Sequence, residues 1–400
     1  MEPKIRFKGF EGEWKEANFK SFGHVAMCKR IFKYQTSPEG DIPFYKIGTF
    51  GSEPDAYISQ RLFEEYKKKY SFPIKGDILI SAAGTIGRTV EYNGENCYYQ
   101  DSNIVWLAHN NNITNGFLKQ LYSIVKWSSL EGATIKRLYN SNILETSFYI
   151  PQKSEQQAIA SYFTSLDSQI SASTSRLASL KQMKAASLQA MFPQEGETVP
   201  KIRFKGFEGE WKKVKLSECL EISKERNIND EYGINEVLSV SDEEGVMNQI
   251  KLLGRSYAGK SVTNYKVLRT NQVVYTKSPL KAKPYGIIKV NKGYTGIVSV
   301  LYAVYDAKED VNPDYIHYYF DPTFRINNYL LPLINKGAKN TMNISDEVSL
   351  QGDIMIPTKL NEQNKIVEYF QSLDRQITLQ TQRLEKLKQM KAACLDKMFV

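Results

Sequence analysis

The stretch PKIRFKGFEGEWK at residues 3–15 occurs a second time, without a single change, at residues 200–212. A longer repeat pairs residues 155–192 with residues 362–399, and 23 of these 38 positions are identical. Self-similarity of this kind is the signature of a duplicated architecture. The sequence therefore predicts two tandem units that are built on one repeated frame.

Two unlike stretches, residues 16–150 and 213–356, lie between the repeated segments. They correspond mainly near their ends, where a Gly-Ala pair runs on to an Ile-Pro pair. These pairs stand at 132–133 and 150–151 in the first stretch, and at 337–338 and 356–357 in the second. The interpretation is that the frame performs one task twice, while the two inserts perform different versions of another.

The 38-residue repeats have the pattern of long helices. Their apolar residues recur at spacings of three and four, which is typical of a narrow coiled-coil seam. Each helix would extend roughly 57 Å at 1.5 Å per residue, too far for one small domain to cover, so we expect the two helices to pack on each other. The alternative is two independent surface helices on separate globular domains. The predicted seam residues are Ile159, Phe163, Leu166, Ile170, Leu177, Leu180, Ile366, Phe370, Leu373, Ile377, Leu384 and Leu387.

The short linker at residues 193–200 predicts the direction of this helix pair. Eight residues reach at most about 28 Å, half the helix length, so the second insert must begin near the far end of the first helix. The second helix then runs back, which gives an antiparallel coiled coil with an internal pseudo-twofold repeat. The predicted domains are 1–152 and 201–358, with the helices at 153–192 and 359–400.

Both inserts have the patterns of a mixed α/β fold. Strands are predicted at 75–81, 271–276 and 297–305, and helices near 117–129 and 315–331. The fold class is thus α/β, of the mixed α+β kind, with two globular domains separated by two long helices.

The predicted strands at 75–81 and 271–276 each run into a basic, polar loop. Lysine and arginine have long side chains whose donors reach guanine edges or phosphates. Hydroxyl groups either donate or accept a hydrogen bond. An ordinary surface role is the alternative for each, and a tyrosine in such a loop either stacks on a base or braces the turn. The candidate nucleic-acid contacts are Ser81, Thr85, Arg88, Lys277, Ser278, Lys281, Lys283 and Tyr285.

The amino-acid composition excludes several classes of protein. The 53 Lys and Arg residues against 44 Asp and Glu give a formal net charge of +9, which suits a polyanionic partner. Four scattered cysteines and three histidines argue against zinc fingers, disulfide scaffolds and any metal site. The apolar stretch at 297–305 is too short to cross a bilayer, and the first residues lack the apolar core of a signal peptide. We expect a cytoplasmic protein without a membrane partner.

Two short motifs resemble catalytic signatures but depart from them. The stretch Asp321-Pro322-Thr323-Phe324 is one residue away from the D-P-P-[FY] pattern of amino-methyltransferases, and its simpler interpretation is a turn that interrupts a helix. The GTIG stretch at 84–87 lacks the G-K-[ST] ending of a phosphate-binding loop. The sequence thus predicts no catalytic cluster and no nucleotide site.

These residues together resemble the DNA specificity subunits of type I restriction-modification systems. The motifs that carry the resemblance are RFxGFEGEW at 6–14 and 203–211, Ile-Pro followed by Glu-Gln at 150–156 and 356–363, and LDxQI at 166–170 and 373–377. The GDILIS and GTIG elements at 76–87 are similar to a common part of the family's target recognition domains. The second insert departs from that part, with TNQVVY at 270–275.

The resemblance implies a non-catalytic subunit that directs other subunits to DNA. Each insert would read one half of a split site on double-stranded DNA, and the helical rod would set the gap between the halves. Two modification subunits would supply adenine methylation with S-adenosylmethionine, and restriction subunits would add ATP- and Mg-dependent cleavage. This chain would itself hold no cofactor.

Three other functions stay open at this point. One is a coiled-coil scaffold that binds only protein, which the divergent loop-bearing inserts argue against. It is also compatible with a DNA-binding protein that acts without restriction-modification partners. An enzyme that acts alone on DNA is disfavoured by the missing catalytic cluster.

Overall fold

The computed structural model describes residues 1–128, 137–259, 261–277, 283–336 and 342–400. It consists of two compact units. Unit 1 contains Met1–Thr174 together with Gln382–Val400, and unit 2 contains Ser175–Thr381. Each long helix therefore contributes residues to both units.

The chain up to the end of the first long helix alternates short strands with helices. Its elements are β1 (Lys15–Asn18), β2 (Gly23–Ala26), β3 (Ile42–Tyr45), β4 (Tyr57–Ile58), α1 (Gln60–Lys69), β5 (Ile78–Ser81), β6 (Thr89–Glu91), β7 (Tyr98–Tyr99), β8 (Ile104–His109), α2 (Asn115–Ile124), α3 (Asn140–Glu145), β9 (Ser147–Ile150) and the long helix α4 (Lys153–Ala190).

The rest of the chain repeats this plan with additional strands. Its elements are β10 (Lys212–Lys215), α5 (Leu216–Cys219), β11 (Leu220–Ile222), β12 (Leu238–Ser241), β13 (Gly245–Asn248), α6 (Gln249–Leu253), β14 (Lys266–Leu268), β15 (Val273–Thr276), β16 (Ile287–Val290), β17 (Gly296–Val298), β18 (Tyr302–Ala307), α7 (Pro313–Phe320), α8 (Thr323–Leu330), β19 (Asn335–Lys336), β20 (Met342–Asn343), β21 (Asp353–Ile356) and the long helix α9 (Leu360–Met398). The predicted mixed α/β class with two globular regions and two long helices is confirmed.

Each unit is built around an antiparallel four-stranded sheet of equivalent order. The order is β2-β8-β5-β6 in unit 1 and β11-β18-β15-β16 in unit 2. Strands β5 and β15 lie inside these sheets, and every residue of both is buried. Strands covered on both faces have continuous apolar runs, which is why these two segments were recognisable in the sequence. The inserts thus share a sheet although their sequences differ.

A two-stranded ladder closes each insert at its base. Strand β1 pairs with β9, where Lys15 faces Ile150, and β10 pairs with β21, where Lys212 faces Ile356. The first strand of each ladder follows the opening motif, and the second ends at the Ile-Pro pair. The two ends of each insert therefore meet, so the insert leaves and rejoins the frame at one ladder.

A buried ion pair joins the opening motif to the long helix in each unit. Arg6 donates from Nε and Nη2 to the Glu155 carboxylate at 2.7 and 2.8 Å. Arg203 and Glu362 form the same pair at the same distances. Bidentate pairing of this kind is the strong form of an arginine–carboxylate contact. It explains why an arginine and the glutamate of the Glu-Gln pair recur together in both halves of the sequence.

The neighbouring glutamine fastens each insert to the same helix. Gln156 accepts the backbone N–H of Thr114 at 2.9 Å, and Gln363 accepts that of Asn312 at 2.9 Å. Thr114 and Asn312 are the N-cap residues of α2 and α7. The Glu-Gln pair thus connects the helix start to two different parts of each unit.

A phenylalanine just beyond the end of a long helix completes the aromatic core of each unit. In unit 1, Phe399 lies 6.1 Å from Trp14 and 6.2 Å from Phe163, between ring centroids. In unit 2, Phe192 lies 6.2 Å from Trp211 and 6.0 Å from Phe370. Phe399 follows α9 and Phe192 follows α4, so each core takes its aromatic ring from the end of the helix that begins in the other unit.

Contacts inside each unit show that the long helices run antiparallel. In unit 1, Tyr162 and Asp167 on α4 contact Cys394 at 3.3 Å and Lys391 at 2.6 Å, respectively. In unit 2, Lys184 lies 2.7 Å from Asp374, and Ser187 lies 2.8 Å from Tyr369. Residue numbers rise along α4 as they fall along α9 in both units. The predicted antiparallel direction is confirmed.

The predicted seam residues are largely inside the protein. Ile170, Leu177 and Ile377 are half-buried and the other nine are buried. Ile159 and Phe163 pack into the core of unit 1, and Ile366, Phe370 and Leu373 pack into the core of unit 2. The start of each helix is thus also a core face of the unit in which it begins.

One predicted strand, at residues 297–305, is wrong. The segment forms two strands, β17 and β18, separated by a turn in which the Tyr302 N–H donates to the Ser299 carbonyl at 3.0 Å. Strand β17 pairs with β14, whereas β18 pairs with β11 and β15. A continuous apolar run does not reveal such a change of partner. The predicted helix interruption at Asp321 and Pro322 is confirmed, because α7 ends at Phe320 and α8 begins at Thr323.

Within the described ranges, no helix combines the length and the apolar character that a membrane crossing needs.

Candidate nucleic-acid interface

Three loops meet at one end of the unit 1 sheet. Strands β2 and β5 end there and strands β6 and β8 begin there, because Ser81 faces Ile104 and Ala26 faces Trp106 across antiparallel ladders. We call this end the loop edge of unit 1. The loops that leave it are residues 27–41, 82–88 and 100–103. The loop that the sequence singled out therefore lies beside two others.

Ser81 holds the 82–88 loop together from inside. It is buried, donates its hydroxyl to the Thr85 carbonyl at 2.5 Å and accepts the Arg88 N–H at 2.9 Å. Gly84 and Gly87 have φ values of +63° and +83°, which glycine adopts far more easily than other residues. The shape of the loop thus explains the two glycines of GTIG, and the hydrogen bonds of Ser81 stabilise that shape.

Thr85 and Arg88 are exposed on the same loop. Arg88 donates from Nη1 to the Phe50 carbonyl at 2.7 Å, which ties its guanidinium to a neighbouring loop. A fixed guanidinium loses less side-chain entropy on binding than a free one. These two side chains are the parts of the predicted set in unit 1 that solvent reaches.

Unit 2 has the equivalent loop edge. Strands β11 and β15 end there and β16 and β18 begin there, since Thr276 faces both Ile287 and Tyr302. The predicted loop of residues 277–286 leaves this edge. Ser278 and Lys281 lie outside the described residues. Lys277, Lys283 and Tyr285 are described, and each has internal contacts.

Lys277 forms an ion pair with Asp346, which also pairs with Lys266. Burial raises the pKa of Asp346, but the hydrogen bonds and charges of the two lysines outweigh it, and the pKa lies below its ordinary value. The Lys277 side chain is 18% exposed. Its charge is therefore largely compensated within the unit.

Lys283 and Tyr285 anchor the far side of the loop. Lys283 is buried and donates to the Asp242 carboxylate at 2.8 Å and to the Asp321 carbonyl at 2.9 Å. Tyr285 packs against the unit 2 core, and its carbonyl accepts the Tyr275 hydroxyl at 2.9 Å. These contacts favour the turn-bracing role for Tyr285 over base stacking.

Asp321, from the motif that resembles a methyltransferase signature, belongs to a buried charge cluster. Its carboxylate lies 3.2 Å from both Lys184 and Lys289. Burial raises its pKa, but the charges of His317, Lys289 and Lys184 outweigh burial and lower the pKa below the ordinary value. Asp321 thus fastens helix α4 to the insert within unit 2.

Sequence reasoning missed part of the loop edge in unit 1. Arg30 pairs with Asp101 at 2.8 Å, and the Ser102 carbonyl accepts from Arg137 at 3.2 Å. The Leu138 N–H donates to the Ala82 carbonyl at 2.8 Å, which joins this segment to the 82–88 loop. A cavity of about 470 Å³ lies here, lined by Met27, Ser102, Arg137, Leu138, Tyr139, Asn140 and Ser141.

No sequence signal points to Arg137 or Asn140, because only the fold brings them to this edge. The segment at 29–35, KRIFKYQ, did have a signal, since it alternates cations with aromatic rings. Within the part of the chain that the structure describes, no cluster of three or more His, Cys, Asp or Glu side chains is arranged to hold a metal ion.

Part of the chain is similar to a known protein family. Residues 11–182 match the family described as type I restriction modification DNA specificity domain. A Haemophilus influenzae protein named as a type I restriction enzyme specificity subunit is 60% identical over 140 residues, which are 35% of this chain and 36% of that protein. The match thus spans about a third of the relative's length.

A solved structure extends the likeness in fold to the whole chain. The S subunit of a type I restriction-modification system from M. genitalium matches with a TM-score of 0.61, covering 100% of this chain and 99% of that one, at 14% identity. Residues 11–182 are therefore similar to the type I restriction modification DNA specificity domain family, and the chain as a whole has a fold like that of the M. genitalium subunit.

Proposed function

We propose that this chain reads a split DNA target, one half with each unit, as the specificity subunit of a type I restriction-modification complex. The observation that carries the proposal is the pair of equivalent loop edges on a duplicated frame. The recognition domains are residues 1–152 and 201–358. Because each insert begins and ends at one ladder, each reads its half-site independently of the other.

The two loop edges offer different chemistry, as two different half-sites require. The unit 1 edge presents Thr85 and Arg88 to solvent, whereas the unit 2 edge has Lys277 and Lys283 compensated by acidic partners. Contacts to phosphates position a protein on DNA, and contacts to base edges give sequence specificity. Thr85 and Arg88 are accordingly the base-reading candidates that the described residues support best.

Catalysis belongs to other subunits in this proposal. Two modification subunits supply adenine methylation with S-adenosylmethionine, and restriction subunits supply ATP- and Mg-dependent cleavage. The complex works in the cytoplasm, where the DNA is. The purified chain alone is expected to transfer no methyl group and to hydrolyse no ATP, and either activity in it would contradict this division of roles.

Methylation mapping tests the proposed function directly. A genome that carries this chain with its modification subunits should show methylated adenines in one motif made of two specified parts separated by unspecified bases. The purified chain should also bind duplexes that contain this motif, with an affinity that falls steeply as salt rises. A single uninterrupted motif, or binding to protein partners without DNA binding, would contradict the proposal and favour a scaffold.

The helix pair is proposed to set the gap between the half-sites. Inserting seven residues after Leu177 and seven after Leu384 keeps the apolar spacing in phase and lengthens each helix by about 10 Å, equivalent to roughly three base pairs. Methylation mapping should then show the same half-sites with a gap about three base pairs longer. An unchanged gap with intact methylation would mean that the spacing is set elsewhere.

A further inference from the structure

An exposed pair of aromatic rings lies just beyond β2 in unit 1. The rings of Phe32 and Tyr34 are stacked, with centroids 5.7 Å apart and planes inclined by 8°. Phe32 is 48% exposed and Tyr34 is 83% exposed. Large apolar surfaces that face water in a folded protein usually mark an interaction surface, because burying them would stabilise the protein.

The segment that carries this pair is basic. The segment of residues 29–35 contains Lys29, Arg30 and Lys33 and no acidic residue. The Lys29 ammonium lies 5.1 Å from the centre of the Tyr70 ring, and the Lys69 ammonium lies 5.7 Å from the same ring. The Tyr70 ring thus joins the segment to the basic last turn of α1. A helix C-terminus favours lysines by itself, but it does not explain two exposed aromatic rings.

The segment is fixed to the loop edge of unit 1. Arg30 pairs with Asp101, and the Asn103 carbonyl in the same turn accepts the Ala82 N–H at 2.7 Å. Ala82 opens the loop that carries Thr85 and Arg88. The segment that carries the aromatic pair is therefore linked, through the turn of residues 100–103, to the loop to which the proposed function assigns base reading.

We propose that residues 29–35 are a further DNA-contacting element of unit 1, beside the half-site. The proposal rests on the proposed function and adds a second contact surface to it. The rings of Phe32 and Tyr34 pack on deoxyribose and base edges, while Lys29 and Lys33 contact phosphates on either side. Duplex DNA suits this surface because it presents apolar sugar faces between regularly spaced negative charges. Aromatic rings beside cations also make up surfaces that bind single nucleic-acid strands.

The test measures binding of the full chain, with its modification subunits, to a fluorescent duplex that carries the mapped target. Phe32→Ala with Tyr34→Ala should weaken binding about tenfold and leave its salt dependence unchanged, because no cation is lost. Lys29→Gln with Lys33→Gln should weaken binding and lower the slope of log affinity against log salt by about two, since about one unit belongs to each phosphate contact. Tyr34→Phe, which keeps the ring, should bind as the unaltered chain does.

Ile74→Ala is the matched control. Ile74 is 71% exposed in unit 1 but precedes β5, at the opposite end of the sheet from the loop edge. This variant should bind normally, and all variants should unfold at the same denaturant concentration as the unaltered chain because the changed side chains are exposed.

Three results would overturn the proposal. The proposal is wrong if the Phe32 and Tyr34 double variant binds DNA as tightly as the unaltered chain. It is also wrong if Ile74→Ala weakens DNA binding as much as that double variant does. Loss of the modification subunits with intact DNA binding would mean that the surface docks a protein. If the unaltered chain itself bound no DNA, the proposed function would fail as well, so the two failures are distinguishable.

Discussion

The two units hold the same buried ion pair in different surroundings. Arg6 with Glu155 and Arg203 with Glu362 have identical distances, and both arginines lie in identical opening motifs. In unit 2 the Trp211 indole N–H also donates to Glu362 at 3.2 Å. In unit 1 the equivalent Trp14 indole N–H is buried without a hydrogen-bond partner.

The contact between the long helices shows the same kind of difference. Lys391 in unit 1 pairs with Asp167, whereas the equivalent Lys184 in unit 2 pairs with Asp374 and also with Asp321 of the insert. The repeated residues thus keep their geometry, and the insert decides how many further partners each one has. A repeated sequence fixes a local arrangement but not its energetic importance.

The largest expected effect comes from removing the glutamate of each buried pair. Glu362→Ala should lower the free energy of unfolding by about 3 to 5 kcal/mol, because it removes the carboxylate that pairs with Arg203 and accepts the Trp211 indole N–H. Glu155→Ala should cost less, since it leaves only Arg6. Urea unfolding followed by tryptophan fluorescence checks this, with Glu155→Gln and Glu362→Gln as controls that keep the shape of the side chain. Equal losses would show that the Trp211 contact adds nothing.

A second difference concerns the helix that follows each central sheet. Counted from the N-caps Thr114 and Asn312, α7 carries His317 at the position where α2 carries Lys119. Burial, aided by the charge of Lys289, lowers the pKa of His317 to about 4. Lys119 instead forms a half-exposed ion pair with Glu91.

This histidine should make unit 2 sensitive to mild acid. Between pH 6.5 and 4 the unfolded chain binds a proton at His317 that the folded chain does not, so stability falls as the pH falls, by roughly 3 kcal/mol. Above pH 6.5 His317 is neutral in the folded and the unfolded chain, so this loss of stability is absent. Asp321, with its lowered pKa, adds a further loss only below its ordinary value of 3.8. Urea unfolding at a series of pH values should show this dependence, and His317→Gln should flatten it. A persistent slope in that variant would assign the effect to other groups.

The smallest expected effect compares the two tryptophans. Trp211→Phe and Trp14→Phe remove the same volume from equivalent places, but only Trp211→Phe removes a hydrogen bond. Trp211→Phe should therefore cost about 1.5 kcal/mol more than Trp14→Phe, the usual contribution of a hydrogen bond to a charged group. The difference between the two unfolding free energies isolates that bond. A larger loss for Trp14→Phe would contradict the assigned partners.

The repeat made the frame predictable. Identical motifs predicted equivalent attachments, and the spacing of Leu and Ile predicted two long helices whose antiparallel direction followed from an eight-residue linker. The physical reason for the repeated motif, a pair between Arg6 and Glu155, was not visible in the sequence because the partners are far apart in the chain. The same holds for the ring that Phe399 supplies to the core of unit 1.

The candidate interface was predictable only in outline. The loop at 82–88 was predictable because it follows a buried strand, and residues 277–286 were singled out for the same reason. The roles of Ser81 and Lys283 were not, since their buried partners come from other segments, such as Asp242 for Lys283. Arg137 reaches the loop edge only through contacts with Ser102 that the fold creates. DNA contact by Thr85 and Arg88 stays a prediction.

Exchange of one insert tests the central claim most directly. Residues 213–356 would be replaced by the corresponding insert of a specificity subunit whose target is known, and the methylated sites of a genome that carries the hybrid would be mapped. Because the two ends of each insert meet at a single ladder, one half of the target should change to that of the donor while the other half stays as it was. A simultaneous change in both halves, in a hybrid that still methylates DNA, would contradict it.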